Sequence, residues 1–132
     1  MNADVRAFIR ERAGNRCEYC RLHQVHVAIA HHIEHVIARQ HGGDDSLDNL
    51  ALSCARCNSF KGPNLSGIDP DRGQHVPLFH PRRHVWEEHF AFQAYRLVGL
   101  TPIGRATVHV LGMNETRRLE LRALLIAAGE SL

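Results

Sequence analysis

The chain has 132 residues, of which 44% are hydrophobic and 23% charged, and its formal net charge is +2. That length suits one domain with a modest core, and the composition is ordinary for a soluble globular protein. No apolar run approaches the roughly 18 residues of a membrane span, and so small a net charge does not by itself mark a nucleic-acid binder. The start, Met1-Asn2-Ala3-Asp4, lacks the basic-then-apolar pattern of a secretory leader, so a cytoplasmic protein is expected.

The first predicted element is a helix over residues 4–13. Val5, Phe8 and Ile9 follow the i, i+3, i+4 spacing, Asp4 is placed to cap its start, and Gly14 to end it. Cys17-Glu18-Tyr19-Cys20 follows at once. Residues 25–37 are rich in β-branched side chains and predict a strand with an interruption. His41-Gly42-Gly43-Asp44-Asp45 reads as a loop, 49–53 as a short second strand, and 55–61 as a short helix ended by Gly62-Pro63. Residues 62–84, punctuated by Gly and Pro and carrying Arg82-Arg83, predict a long irregular segment.

Beyond it the pattern predicts a helix over 85–92, with Trp86 and Phe90 at i, i+4, and a strand over 95–100. A further helix is expected from Pro102 to about Leu111, and a last one from a cap at Asn114 through Ala128, closed by Gly129. The last helix carries Leu121, Leu124, Leu125 and Ala128 on one stripe and Leu119 and Ile126 on another side. That two-sided pattern favours burial over a partner surface.

Cys17-x-x-Cys20 has a twin in Cys54-Ala55-Arg56-Cys57. The competing readings are a redox pair, buried free thiols and a metal site. A thioredoxin-like motif needs one pair in a βαβ setting, and a reducing compartment disfavours disulfides, so one Zn²⁺ held by four thiolates is expected. Such a site closes the loop between residues 20 and 54 and stands in for core that a small domain lacks. Four thiolates leave zinc no open position, so this metal is not the catalyst. The site adds a net charge of about −2, which brings the chain to about zero, and any nucleic-acid surface must then be local.

Between the pairs lie Glu34-His35, Gly42-Gly43 and Asn49-Leu50, and Cys57 is followed by Asn58 and then Lys61. Order and spacing resemble the HNH nucleases, whose catalytic unit is the ββα-metal fold. The match covers about residues 17–61, one third of the chain. The resemblance implies an α+β fold with a small, treble-clef-like core over about residues 17–62. It makes His35 the general base, Glu34 and Asn58 ligands of a catalytic Mg²⁺ or Mn²⁺, and Asn49 the brace of the loop that presents His35. It offers Lys61 and Arg56 as phosphate contacts, and Arg82 and Arg83 extend the basic surface expected to meet DNA. The chemistry suits these residue types: a neutral imidazole takes a proton near working pH, and oxygen ligands suit hard, hydrated cations. Asn58 stands where many members have His, which leans the site towards harder cations.

Strict strand alternation puts Glu34 and His35 on opposite faces and His32 beside Glu34, so the strand must end or twist there, and His32 becomes a possible extra ligand. His31 is expected to pack. One domain over residues 1–132 is expected, with a helical extension over about 84–129. The alternatives to a DNA endonuclease are a zinc-bearing nucleic-acid-binding module without catalysis and a purely structural or protein-interaction zinc domain. Intact Glu34, His35, Asn49 and Asn58 favour catalysis, because binding alone does not need that combination. Double-strand cutting by two single sites would need a homodimer, which the sequence does not establish.

Overall fold

In the computed structural model, which describes residues 1–132, the α+β expectation holds: five helices accompany three separate two-stranded antiparallel sheets. Helix α1 (Ala3–Arg12) is capped by Asn2, whose side chain accepts the Val5 N–H at 2.9 Å, and Asp4 lies in the first turn, where a negative charge meets the positive end of the helix dipole. Strand β1 (His32–His35) pairs with β2 (Leu50–Ser53), with Glu34 opposite Ala51 and His35 opposite Leu50. Helix α1 covers this pair through Ile9, which packs on Leu50 and Leu52.

The strand expected over 25–37 is only four residues long. Residues 24–26 form one tight turn instead, because His23 Nδ1 accepts the Val25 N–H at 3.0 Å and the Gln24 amide donates to the carbonyls of Val27 and Ile29. Those side-chain bonds offer the backbone an alternative to a ladder. Helix α2 (Ala55–Lys61) follows β2 directly, with Cys54 as its N-cap and the Cys54 sulfur accepting the Cys57 N–H at 3.4 Å. Strand, loop, strand and helix therefore run as the sequence predicts.

The extension departs further from expectation. Residues 62–84 are not irregular throughout: β3 (Ser66–Ile68) and β4 (His75–Pro77) form a hairpin. Its connection is fixed by Asp69, which accepts the Asp71 N–H at 3.0 Å and the Arg105 guanidinium at 2.9 and 2.8 Å. The helix expected over 85–92 is a single turn, α3 (Trp86–His89). Phe90 then starts β5 (Phe90–Gln93), which pairs with β6 (Arg96–Gly99). Aromatic residues at 90 and 92 favour the pleated surface over a helix, while Trp86 and Phe90 still stack with ring centroids 5.2 Å apart.

Helix α4 (Pro102–Val110) is capped by Thr101 and lies so close to α3 that a Cβ on Gly104 would sit 2.0 Å from the His89 carbonyl oxygen. Helix α5 (Thr116–Ala127) is not capped by Asn114, because that side chain is spent on β6, bonding the Leu97 N–H and C=O at 2.9 and 2.7 Å. Nor is α5 buried on two sides. Leu124 is 69% exposed, and the helix's buried residue is Arg122, whose guanidinium donates to the carbonyls of Tyr95 and Met113. The inner face is thus partly given to a cation that satisfies carbonyls of the β5–β6 turn and the α4–α5 connection. No helix is long and apolar enough to cross a membrane.

The extension and the cysteine region share one buried cluster, in which Cys17, Tyr19 and Cys57 meet Phe79, Trp86 and Phe90. The Trp86 indole donates to the Tyr19 carbonyl at 2.8 Å and lies under the Arg21 guanidinium. Trp86→Ala removes that bond and a buried ring, and an unfolding free energy lower by about 3–5 kcal/mol is expected in urea denaturation. A loss below about 1 kcal/mol would show that the extension does not support the cysteine region.

Candidate active site and metal centre

Cys17, Cys20, Cys54 and Cys57 are all buried, and their sulfurs lie within 4.8 Å of one another, with Cys20 and Cys54 Sγ at 3.8 Å. Zinc–thiolate bonds of about 2.3 Å in a tetrahedron set sulfur–sulfur edges of about 3.8 Å, so the four positions fit the ion. The electrostatics fit as well. Hydrogen bonds from the thiols of Cys17, Cys20 and Cys57 push Cys54 down, contacts with the other sulfurs push Cys57 up, and burial pushes Cys17 up. Four buried sulfurs cannot all ionise unaided, and a divalent cation removes that conflict. Backbone N–H groups of Cys20 and Cys57 and the Arg118 guanidinium point at the sulfurs, as an outer shell around thiolates should.

The two residues inside the first cysteine pair tie this centre to the strands. Glu18 accepts the Leu52 N–H at 2.8 Å with one carboxylate oxygen and pairs with Arg82 through the other. The Tyr19 hydroxyl donates to Glu34. Glu34 is buried on the inner face of β1, with the Lys61 ammonium 3.7 Å from its other oxygen. Burial pushes the Glu34 carboxyl up, and Lys61 and Tyr19 oppose that shift. Neither Glu18 nor Tyr19 stands out in the sequence, where they read as spacers between cysteines.

His35 faces the other way, as strand alternation requires. Its Nε2 lies 2.6 Å from Asp45 Oδ1, and the same oxygen accepts from Arg39 at 2.7 Å. The structure therefore does not bring the Glu34 and His35 side chains to one face; the carboxylate beside His35 is Asp45, a residue that the sequence places only in a loop. Asn49 staples the base of that loop. Its Oδ1 accepts the Ile37 N–H at 2.9 Å, and its amide donates to the carbonyls of Ile37 at 3.0 Å and Asp44 at 2.8 Å. Gly43 lets the chain close, since a Cβ there would lie 1.6 Å from the Ile37 oxygen. Gly42 adopts φ +88°, a left-handed conformation that glycine takes without cost.

Asn58 is half-buried on α2, one turn before Lys61. His32 is exposed at the start of β1, outside any metal-binding group that the structure forms. His31 packs as expected, with Nε2 against the Leu22 carbonyl at 2.8 Å. Of the four expected phosphate contacts, three are engaged inside the protein. Lys61 is 2% exposed and donates to the Val36 carbonyl at 2.8 Å, Arg82 is held by Glu18, and Arg56 pairs with Glu115. Arg83 remains exposed and makes no ion pair.

Residues 17–64 match the model of the HNH endonuclease family. Among curated proteins it is similar to the Septu protein PtuB of Bacillus thuringiensis, at 27% identity over 129 residues. The alignment covers 92% of this chain and 46% of that protein, so the chain spans less than half the length of this relative. No solved structure matches the chain.

The purified protein is expected to carry one zinc per chain, and Cys57→Ser should release it and unfold the extension with the core. Elemental analysis without zinc, or four thiols that titrate freely in the folded protein, would contradict the assignment.

Proposed function

We propose that the chain is a metal-dependent DNA endonuclease that hydrolyses phosphodiester bonds with His35 as general base. The observation that carries this reading is the His35–Asp45 contact at the open end of β1. Asp45 takes one ring nitrogen and fixes the imidazole plane, which leaves Nδ1 to accept a proton from an attacking water. The His35 hydrogen bond, with Arg39 beside it, holds the Asp45 carboxyl below its ordinary value, so it stays charged across the working range. The Asn49 staple keeps loop and strand in register, so the dyad is preorganised.

Glu34 and Asn58 would hold one divalent cation, whose bound form supplies Lewis-acid stabilisation of charge on the phosphate. Two oxygen ligands with water and phosphate completing the shell suit Mg²⁺ or Mn²⁺. Glu34 is the demanding member, because its carboxylate must exchange the Lys61 ammonium for the metal. That same pairing favours the second reading, a zinc-bearing nucleic-acid-binding module without catalysis. The similarity to PtuB runs through the extension as well as the HNH segment, which supports treating residues 62–132 as part of the working unit. Four thiolates on zinc fit the reducing cytoplasm, where we place the protein.

His35→Ala should lower single-turnover cleavage of plasmid DNA by about 10²–10⁴ with DNA affinity unchanged. Glu34→Ala and Asn58→Ala should lose activity that excess Mn²⁺ partly restores. Wild-type activity should rise with pH, because a general base works in its unprotonated form. Cleavage by His35→Ala at the wild-type rate, or full rescue of it by metal, would remove His35 from the mechanism; no cleavage by the wild type under any divalent metal would favour the binding module.

A further inference from the structure

A cleft of about 310 Å³ opens beside the end of β1. Val36 and Ile37, the two residues after His35, form one wall, and Leu65, Leu78 and Phe79 contribute to the rest. Its polar lining comes from Lys61, Asn64, His80, Arg83 and His84, and no carboxylate is among the lining residues. The volume lies at the lower end of small-ligand pockets, which run from about 300 to 1,000 Å³. That is room for one nucleotide and not for a duplex.

The tautomers of both histidines follow from their partners. The Arg82 N–H donates to His80 Nδ1 at 3.1 Å, and the His80 N–H donates to His84 Nδ1 at 2.9 Å. A backbone N–H can only donate, so each Nδ1 is an acceptor and each ring carries its proton on Nε2. The Nε2 atoms are therefore donors and cannot ligate a metal in this arrangement. Neither is a buried orphan, so both reach solvent. The turn that carries them is closed by the N–H groups of Arg83 and His84, which both donate to the His80 carbonyl, at 3.1 and 2.9 Å. Burial pushes His80 down to about 4, so its ring keeps this neutral form at ordinary pH. Arg83 adds a full positive charge with no internal partner.

We infer that this cleft is a nucleotide subsite that holds the DNA strand next to the scissile phosphate, with His80, His84 and Arg83 donating to phosphate oxygens and the apolar wall taking the sugar and base. The inference rests on the nuclease reading for what lies at His35 and adds where the flanking strand runs. Lys61 joins the two places: its ammonium bonds the Val36 carbonyl in the cleft wall and faces Glu34 behind it.

The test is DNA binding in a His35→Ala background, in which cleavage is expected to be slowed by about 10²–10⁴-fold, read without added divalent metal by fluorescence anisotropy with a labelled single-stranded oligonucleotide across a range of salt. Arg83→Ala should weaken binding and lower the salt slope by about 0.7–0.9, the loss of one phosphate contact. His84→Ala should weaken binding roughly tenfold with the slope unchanged, and His84→Gln, which restores an N–H donor, should recover part of it. Arg96→Ala, which removes an exposed cation on β6, serves as control and should have less effect than Arg83→Ala. Equal losses for Arg83→Ala and Arg96→Ala, or unchanged binding by both Arg83→Ala and His84→Ala while the wild type still cleaves, would overturn the subsite and leave the nuclease reading standing. A parent protein that binds no DNA, with a wild type that cuts none, would overturn both.

Discussion

The convergence of four buried cysteine sulfurs is the constraint on which the rest of this structure depends. A structural zinc site contributes about 10–16 kcal/mol of binding free energy, comparable with the whole stability of a domain, about 5–15 kcal/mol. Zinc on these four sulfurs would be a contribution of that size. The site also sets direction. Cys54 is both a sulfur of the centre and the N-cap of α2, so the centre fixes where Asn58 and Lys61 project. Glu18 and Tyr19, held between Cys17 and Cys20, reach out to β2 and to Glu34. The extension then closes on those same two residues, through Arg82 and Trp86. The centre, the strand pair and the extension therefore share a few side chains and do not merely pack.

Buried charge is the second organising term. Glu34 with Lys61, Glu18 with Arg82, and Asp69 with Arg105 each place a carboxylate against a cation at low exposure. Breaking such a pair by removing one partner costs about 3–5 kcal/mol, because a charge is left without compensation. Lys61, Arg82 and Arg105 therefore serve the protein's own interior. Arg6, Arg72, Arg83, Arg96 and Arg117 stay exposed without an ion pair, so any phosphate contact falls to cations other than Lys61 and Arg82.

The HNH segment was legible in the sequence because its features are local and ordered: two cysteine pairs, adjacent glycines and a short helix at the second pair. The double-glycine loop and α2 fall where pattern put them. The direction of Glu34 was half legible, since alternation already separated it from His35. What alternation could not supply was its partners, Tyr19 and Lys61, which come from 15 residues before it and from the next helix. Asp45 was hidden for a similar reason: it sits 10 residues from His35, and only the loop closure by Asn49 and Gly43 brings it back. The extension misled most. Asn114 looks like a cap but bonds β6, and the apolar stripes of α5 conceal that Arg122 is its buried residue. Both outcomes are long-range choices that local periodicity does not encode.

The central claim of the proposed function is that one chain would hold two different metal environments, a closed sulfur site that builds the fold and an oxygen site at Glu34 and Asn58, on the face of β1 opposite His35. Anomalous diffraction from crystals grown with Mn²⁺, recorded at the zinc and manganese edges, tests it most directly. The account predicts a zinc peak among Cys17, Cys20, Cys54 and Cys57, and a manganese peak between Glu34 and Asn58 with the Lys61 ammonium displaced from the Glu34 carboxylate. A manganese peak at Asp45 and His35, or none with Lys61 still seated on Glu34, would contradict it.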